Sequence, residues 1–380
     1  MKIGIITIHR SPNYGACLQS YGLYTFLKKK GYDVEIIDLL RPTHTEYNQS
    51  KKYVPYRREQ LSIIQKIKKI IISLLGISLK KRLLTNEAQL KFESFNNQIR
   101  YSRTYYSIDE LYKNPPEYDI YITGSDQLWN PTMKFCIEPY FLTFVKNGGR
   151  KISYATSIGI EKLENNEKED FSKWLSEYYS ISVREKSGKG LLSELVTSSV
   201  TQVADPSFLL EPSQWKNIIV PSKIEESYIL LFTLNYNREL IEFCNRLRKE
   251  SGKKLVYLCL YQSVDVSTLV DIVIDDAGPQ EFLGYINSAD MVITNSFHGT
   301  VFSLVLNAGN VFSYVPSSQK RGKRITDLFD TYNLSNHVLH DDLSISYKEL
   351  ESRLLDRNDI EKKMNNERNR SQEYLLKQLQ

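Results

Sequence analysis

Short apolar runs alternate with helix-length stretches along this chain, and the alternation starts afresh near its middle. The N-terminal run, residues 2–8, leads through a polar loop into a predicted helix over about 15–30, closed by Gly31. A second apolar run follows at 33–37. Strand, helix and strand in that order make a parallel pair with a crossover, so helices must cover the faces of the sheet. Further strands are predicted at 118–126, 150–159 and 179–185, and "TQVADPSFLL" (201–210) reads as a strand ending in an Asp-Pro turn. The pattern restarts with "SYILLFTL" (227–234). Strands at 254–260, 271–276, 290–294 and 310–315 follow, with helices at 238–250 and from Pro279 between them. A chain of 380 residues exceeds one ordinary core and suits two domains of roughly 150–200 residues. The expected fold is α/β, with two Rossmann-like domains facing a cleft. Their expected limits are 1–205 and 206–345, with closing helices over 346–380.

Residues 41–100 break the alternation and are expected to form a helical insertion in the first domain. Within it, 59–75 place Leu61, Ile64, Ile67, Ile71 and Leu74 on one helical face, with Lys66 and Lys69 opposite. Residues 51–82 hold ten basic side chains and one acid, while the whole chain is only +5, so the remainder is −4. One basic region does not make the protein a nucleic-acid binder. Two readings of the basic helix stand. It packs on the sheet with its lysines in water, or it lies on an anionic membrane surface. No stretch reaches the roughly 18 uncharged apolar residues of a membrane span, and the N-terminus reads as a strand rather than a signal peptide. The four cysteines, at 17, 136, 244 and 259, have neither metal-ligand spacing nor a disulfide framework. The expected location is a reducing cytoplasm, with the basic segment offering peripheral contact at the inner face of the membrane.

In α/β folds ligands bind beyond the carboxyl ends of the strands, so polar turns there are the candidate chemistry. In "HRSPNYGACLQSYG" (9–22), Asn13 and Tyr14 precede Gly15 at a helix start, where glycine lets a ligand approach free backbone amides. A simple capping turn accounts for the same residues. In "TGSDQLWNP" (123–131), Asp126 and Gln127 would bond sugar hydroxyls and Trp129 would stack on a pyranose face; the plain alternative is an Asx-type turn with a core tryptophan. In "SVREKSG" (182–188), Arg184 follows a buried-looking strand. It would grip a carboxylate or phosphate with two parallel hydrogen bonds, or else form a salt bridge, for instance to Asp205. In "TNSFHGTVF" (294–302), Ser296, Gly299 and Thr300 mark a helix start suited to an anion, and His298 beside it is the residue type that can move a proton near neutral pH. Last, Lys320, Arg321, Lys323 and Arg324 follow the next strand, either completing an anion pocket or forming a solvated basic loop.

These turns, in this order, resemble those of the polysaccharide pyruvyl transferase family. The likeness runs through "NYGACLQSYGL", "YDIYITGSDQLWNP", "YATSIG", "SVREKSG", "ADPSFLL" and "TNSFHGTVFSLVLN", over roughly 1–335, and leaves out 41–82 and the tail after 340. The resemblance implies a fold like that of the two-domain GT-B glycosyltransferases, with the first domain on the acceptor side and the second on the donor side. It implies phosphoenolpyruvate as donor and a saccharide acceptor, free or lipid-linked, of a cell-surface polysaccharide or capsule. The product would be a pyruvate ketal bridging two hydroxyls of one sugar, with phosphate released. By position in the motifs, the family's functional arginine and histidine match Arg184 and His298. Basic residues after the next strand help hold the donor; Arg324 is the first choice here and Lys323 the second. No step demands a metal or a resident cofactor. The rivals are a GT-B glycosyltransferase using a nucleotide sugar and a saccharide-binding subunit without catalysis.

Overall fold

The computed structural model describes residues 1–42, 44, 46–48, 84–133, 136–146, 148–261, 264–317 and 322–380. Two parallel sheets organise it. The first contains β1 (Lys2–Ile6), β2 (Asp33–Ile36), β3 (Ile120–Thr123) and β4 (Arg150–Ser153), in the order β2-β1-β3-β4. Two short strands, β5 (Ile181–Val183) and β6 (Val200–Gln202), pair with each other. Parallel bridges Ile152–Ser180 and Thr156–Val183 join them to the free edge of β4. The second sheet holds β7 (Tyr228–Phe232), β8 (Lys254–Leu258), β9 (Ile272–Ile274), β10 (Met291–Thr294), β11 (Asn310–Tyr314) and β12 (Val338–Leu339), in the order β12-β11-β10-β7-β8-β9. The central strands β7 and β10 are buried throughout, as strands covered on both faces must be.

In each sheet the winding reverses beside the first strand of its half: between β1 and β3, and between β7 and β10. Crevices open at the carboxyl ends of strands at such points. The helix Tyr14–Lys29 starts at the first of them, where Asn13 accepts a hydrogen bond from the Ala16 amide as its cap. Its first residue ties the two halves together. The Tyr14 ring stacks on Phe282 at 4.3 Å and meets Phe92 and Phe232, and its hydroxyl donates to the Ala277 carbonyl.

The last helix, Arg357–Gln378, returns from the second sheet to the first half. Arg368 is buried and donates to the Phe208 carbonyl, Gln372 donates to Leu209, and Ser371 accepts from the Ala204 amide. The 201–210 stretch is only partly strand. β6 ends at Gln202, and the Asp205-Pro206 pair opens a single turn of 3₁₀ helix, because proline supplies no ladder donor and Asp205 caps the turn. Of the expected insertion, the helix Asn86–Asn96 is present, and Tyr101 and Tyr105 run back beside β2. The amphipathic helix expected at 59–75 and the basic segment 51–82 lie outside the described residues. Among the described residues no helix is long and apolar enough to cross a membrane.

Candidate functional site

Asp205 is the centre of the site. It is buried at the turn after β6, and four donors converge on its carboxylate. Arg184 Nη1 and Ser125 Oγ reach Oδ2 at 2.9 Å each, and the Ser207 amide and hydroxyl reach Oδ1 at 3.0 and 2.8 Å. His298 Nε2 lies 3.7 Å from the same Oδ2, an ion-pair separation rather than a hydrogen bond. Burial alone would raise the pKa of Asp205. The imidazole of His298 and the Arg184 guanidinium outweigh it and hold the carboxyl well below the usual carboxylate range. Arg184 and His298 come from different sheets and lie more than a hundred positions apart, yet they share one counter-ion.

Arg184 is itself buried, where desolvation disfavours its charge. Glu185, Asp205 and Asp126 reverse that and raise its pKa. Its Nε donates to Glu185 Oε1 at 3.2 Å, and Glu185 Oε1 also accepts from Ser157. Its Nη2 has no hydrogen-bond partner and stands 3.7 Å from Asp126 Oδ1. The guanidinium lies over the Phe297 ring at 4.5 Å, and Arg324 approaches that ring at 5.5 Å, so one aromatic side chain carries two cations. Gln127 stands 3.0 Å from both terminal nitrogens of Arg324 when its amide presents oxygen to them. Arg184, Glu185, Asp205, Phe297, Arg324 and Asp327 line one cavity of about 160 Å³.

His298 is buried, and its Nε2 lacks a hydrogen-bond partner. Its ring rests on the first turn of the helix Tyr14–Lys29. A Cβ added to Gly15 would fall 2.0 Å from His298 Nδ1, so only glycine fits there. Gly15 is thus a seat for the histidine. Asp126 adopts φ +76°, a strained conformation for a non-glycine residue, and holds the Gln127 amide with Oδ1.

Several expected contacts are corrected by the structure. Trp129 is fully buried, stacks on Phe141 and donates Nε1 to the Tyr140 carbonyl, so it is core and offers no face to a sugar. The Tyr14 hydroxyl is committed to Ala277, as described above. Thr300 turns its hydroxyl inward to the Ser296 carbonyl and Ser313. The Gly299 amide is taken by Ser296 Oγ, its own helix cap, and is not open to an anion. Lys323 pairs with Asp327 at 3.6 Å and does not line the cavity, whereas Arg324 does. Lys320 and Arg321 lie outside the described residues. Glu185, Phe297 and Asp327 are site residues that sequence reasoning misses, while Asp205 is read there only as a salt-bridge partner of Arg184, a pairing the structure contains. The Arg-Glu pair is the signal that could have found Glu185. Among the described residues no group of three His, Cys, Asp or Glu side chains is arranged to hold a metal ion.

Comparison with solved structures finds the same architecture at low identity. Arabidopsis thaliana UGT89C1 superposes with a TM-score of 0.54 at 11% identity, over 99% of each chain. The same protein complexed with UDP-L-rhamnose gives 0.53 at 14% identity, over 96% of this chain and 93% of that one. These neighbours are GT-B glycosyltransferases, and the likeness is one of fold. Comparison with curated protein sequences finds no match. The family model described as polysaccharide pyruvyl transferase matches residues 13–312. That span begins at the Asn13 cap beneath His298 and includes Arg184, Asp205 and His298 itself, and by it this chain belongs to the polysaccharide pyruvyl transferase family.

Proposed function

We propose that the protein transfers a pyruvyl group from phosphoenolpyruvate to two hydroxyls of one sugar in a polysaccharide or its precursor, free or lipid-linked, forming a ketal and releasing phosphate. One observation carries this reading: Arg184 and His298 meet on Asp205 beside Arg324. The donor bears a carboxylate and a phosphate, and two guanidinia over one ring gather the positive charge that such groups need. Arg184 keeps Nη2 for the ligand while Nη1 and Nε are held by Asp205 and Glu185.

Two protons must move. The donor's methylene carbon gains one and becomes a methyl group, which makes the adjacent carbon electrophilic. The two sugar hydroxyls lose one each as their oxygens bond to that carbon. The C–O bond to phosphate breaks, and phosphate leaves with the second proton. His298, whose Nε2 makes no hydrogen bond and stands 3.7 Å from Asp205, is the proposed acid/base group. Asp205 steadies the imidazolium as it forms and holds Arg184 in register.

The test is phosphate release from phosphoenolpyruvate in the presence of candidate saccharides, with mass spectrometry of the acceptor. A gain of one pyruvyl ketal supports the reading. Phosphate release without that gain, or transfer of sugar from a nucleotide sugar, sinks it.

A further inference from the structure

The start of the helix Phe297–Val305 has two sides. Phe297 faces the charged cavity, whereas Ser296, one residue earlier, faces a second cleft beside the carboxyl ends of β7 and β10. Asn13, Tyr14 and Gly15 reach this cleft from the first half, and residues after β7 and β8 close it from the second. Among the described residues no charged side chain lines it; rings, amides and hydroxyls do. His298 is the partition. Its Nδ1 edge rests on Gly15, which lines the neutral cleft, and its Nε2 edge faces Asp205, which lines the charged cavity.

We propose that this neutral cleft holds the acceptor saccharide, with Asn235 and Tyr236 as its specificity-determining residues. The inference rests on the reading of the Arg184 cavity as the donor site. It keeps Asn13, Tyr14 and Gly15 of the expected acceptor set, adds residues after β7 and β8, and leaves Asp126 and Gln127 beside Arg184 and Arg324. A donor with several negative charges finds no cation in the neutral cleft to offset its desolvation. A sugar, with hydroxyls and an apolar ring face, matches tyrosines and amides. Most hydroxyls in the wall are already engaged: Tyr14 with Ala277, and Tyr257 with Thr233 at 3.1 Å. Asn235 is exposed and Tyr236 half-buried with its ring on the core of the second sheet, and both line the cleft.

Saturation-transfer NMR on the full chain tests this, with the methyl β-glycosides of galactose, glucose and N-acetylglucosamine as probes. At least one glycoside should bind the wild type. Tyr236→Ala and Asn235→Ala should weaken it about tenfold, the equivalent of one lost hydrogen-bonded contact, while Thr331→Ala, in the wall of the charged cavity but outside its ion set, should leave it unchanged. Tyr236→Phe keeps the ring and isolates the hydroxyl. Binding that survives all three cleft variants, binding lost in Thr331→Ala, or no binding of any glycoside overturns the proposal. The readout needs no donor, so a failure of pyruvyl transfer and a failure of this cleft are separately visible.

Discussion

The two sides of the helix start at Ser296–His298 are built from opposite materials. On the Phe297 side, Arg184, Glu185 and Asp205 are buried ions that hold one another, and Arg324 joins them over a shared ring. On the Ser296 side the wall is uncharged and partly open; Asn235 is exposed, and the half-buried Tyr236 ring packs on the core of the second sheet without joining any ion set. Buried charges are tolerable only as a paired set, so removing one exposes the cost of the others. Stability and function are therefore fused through charge on the charged side, whereas on the neutral side the polar groups of Asn235 and Tyr236 can be removed without unpairing a buried ion.

The largest expected effect breaks the partition itself. His298→Ala should fold, as judged by circular dichroism, yet lose about 10²–10⁴ in turnover. Wild-type turnover would remove His298 from the chemistry.

Asp205→Ala should cost about 3–5 kcal/mol in denaturant unfolding, because Arg184 is left buried without its carboxylate. Its pH dependence has a definite sign. The folded pKa of Asp205 lies below the unfolded value, so the stability it contributes is present above about pH 4 and is lost as pH falls below that. Asp205→Asn should flatten the acid limb of the stability profile; an unchanged limb contradicts the pairing.

Gly15→Ala drives a methyl into the imidazole and should cost about 1–3 kcal/mol, together with most of the activity. Gly190, on the helix Lys186–Ser193, offers the control. A Cβ there meets nothing within 4 Å, so Gly190→Ala should be neutral or stabilising by about 0.4–1 kcal/mol. The smallest effect belongs to the neutral cleft, where Tyr236→Phe should shift unfolding by less than about 0.5 kcal/mol. A larger loss would give that residue a structural role and blur the contrast.

Much of this frame is legible in the chain. The apolar runs of β1, β7 and β10 and the cap at Asn13 follow from periodicity and local hydrogen bonding, which act over a few residues. The turns that carry Arg184 and His298 are equally visible, because each directly follows a buried strand, where an α/β fold opens its crevice. Trp129 shows where local reading stops. Its ring is claimed by Phe141 and its Nε1 by Tyr140, both in the single 3₁₀ turn Glu138–Phe141, which is too short to show a period. Thr300 eludes the sequence for a similar reason. Whether a hydroxyl at a helix start faces out or bonds back depends on a neighbour such as Ser313 on the next strand. The return of the last helix to the first half is also invisible, since Arg368 looks like any surface arginine until the Phe208 carbonyl receives it. Asp205 is readable as a partner for Arg184 and becomes the hub only when His298 arrives from the other sheet.

The most direct measurement is a crystal structure of the protein soaked in phosphoenolpyruvate. Density for the donor is expected in the cavity between Arg184 and Arg324, on the Phe297 side, with the tyrosine-lined cleft left free for a saccharide. Donor density in the neutral cleft, away from both guanidinia, would contradict the division of the site at His298.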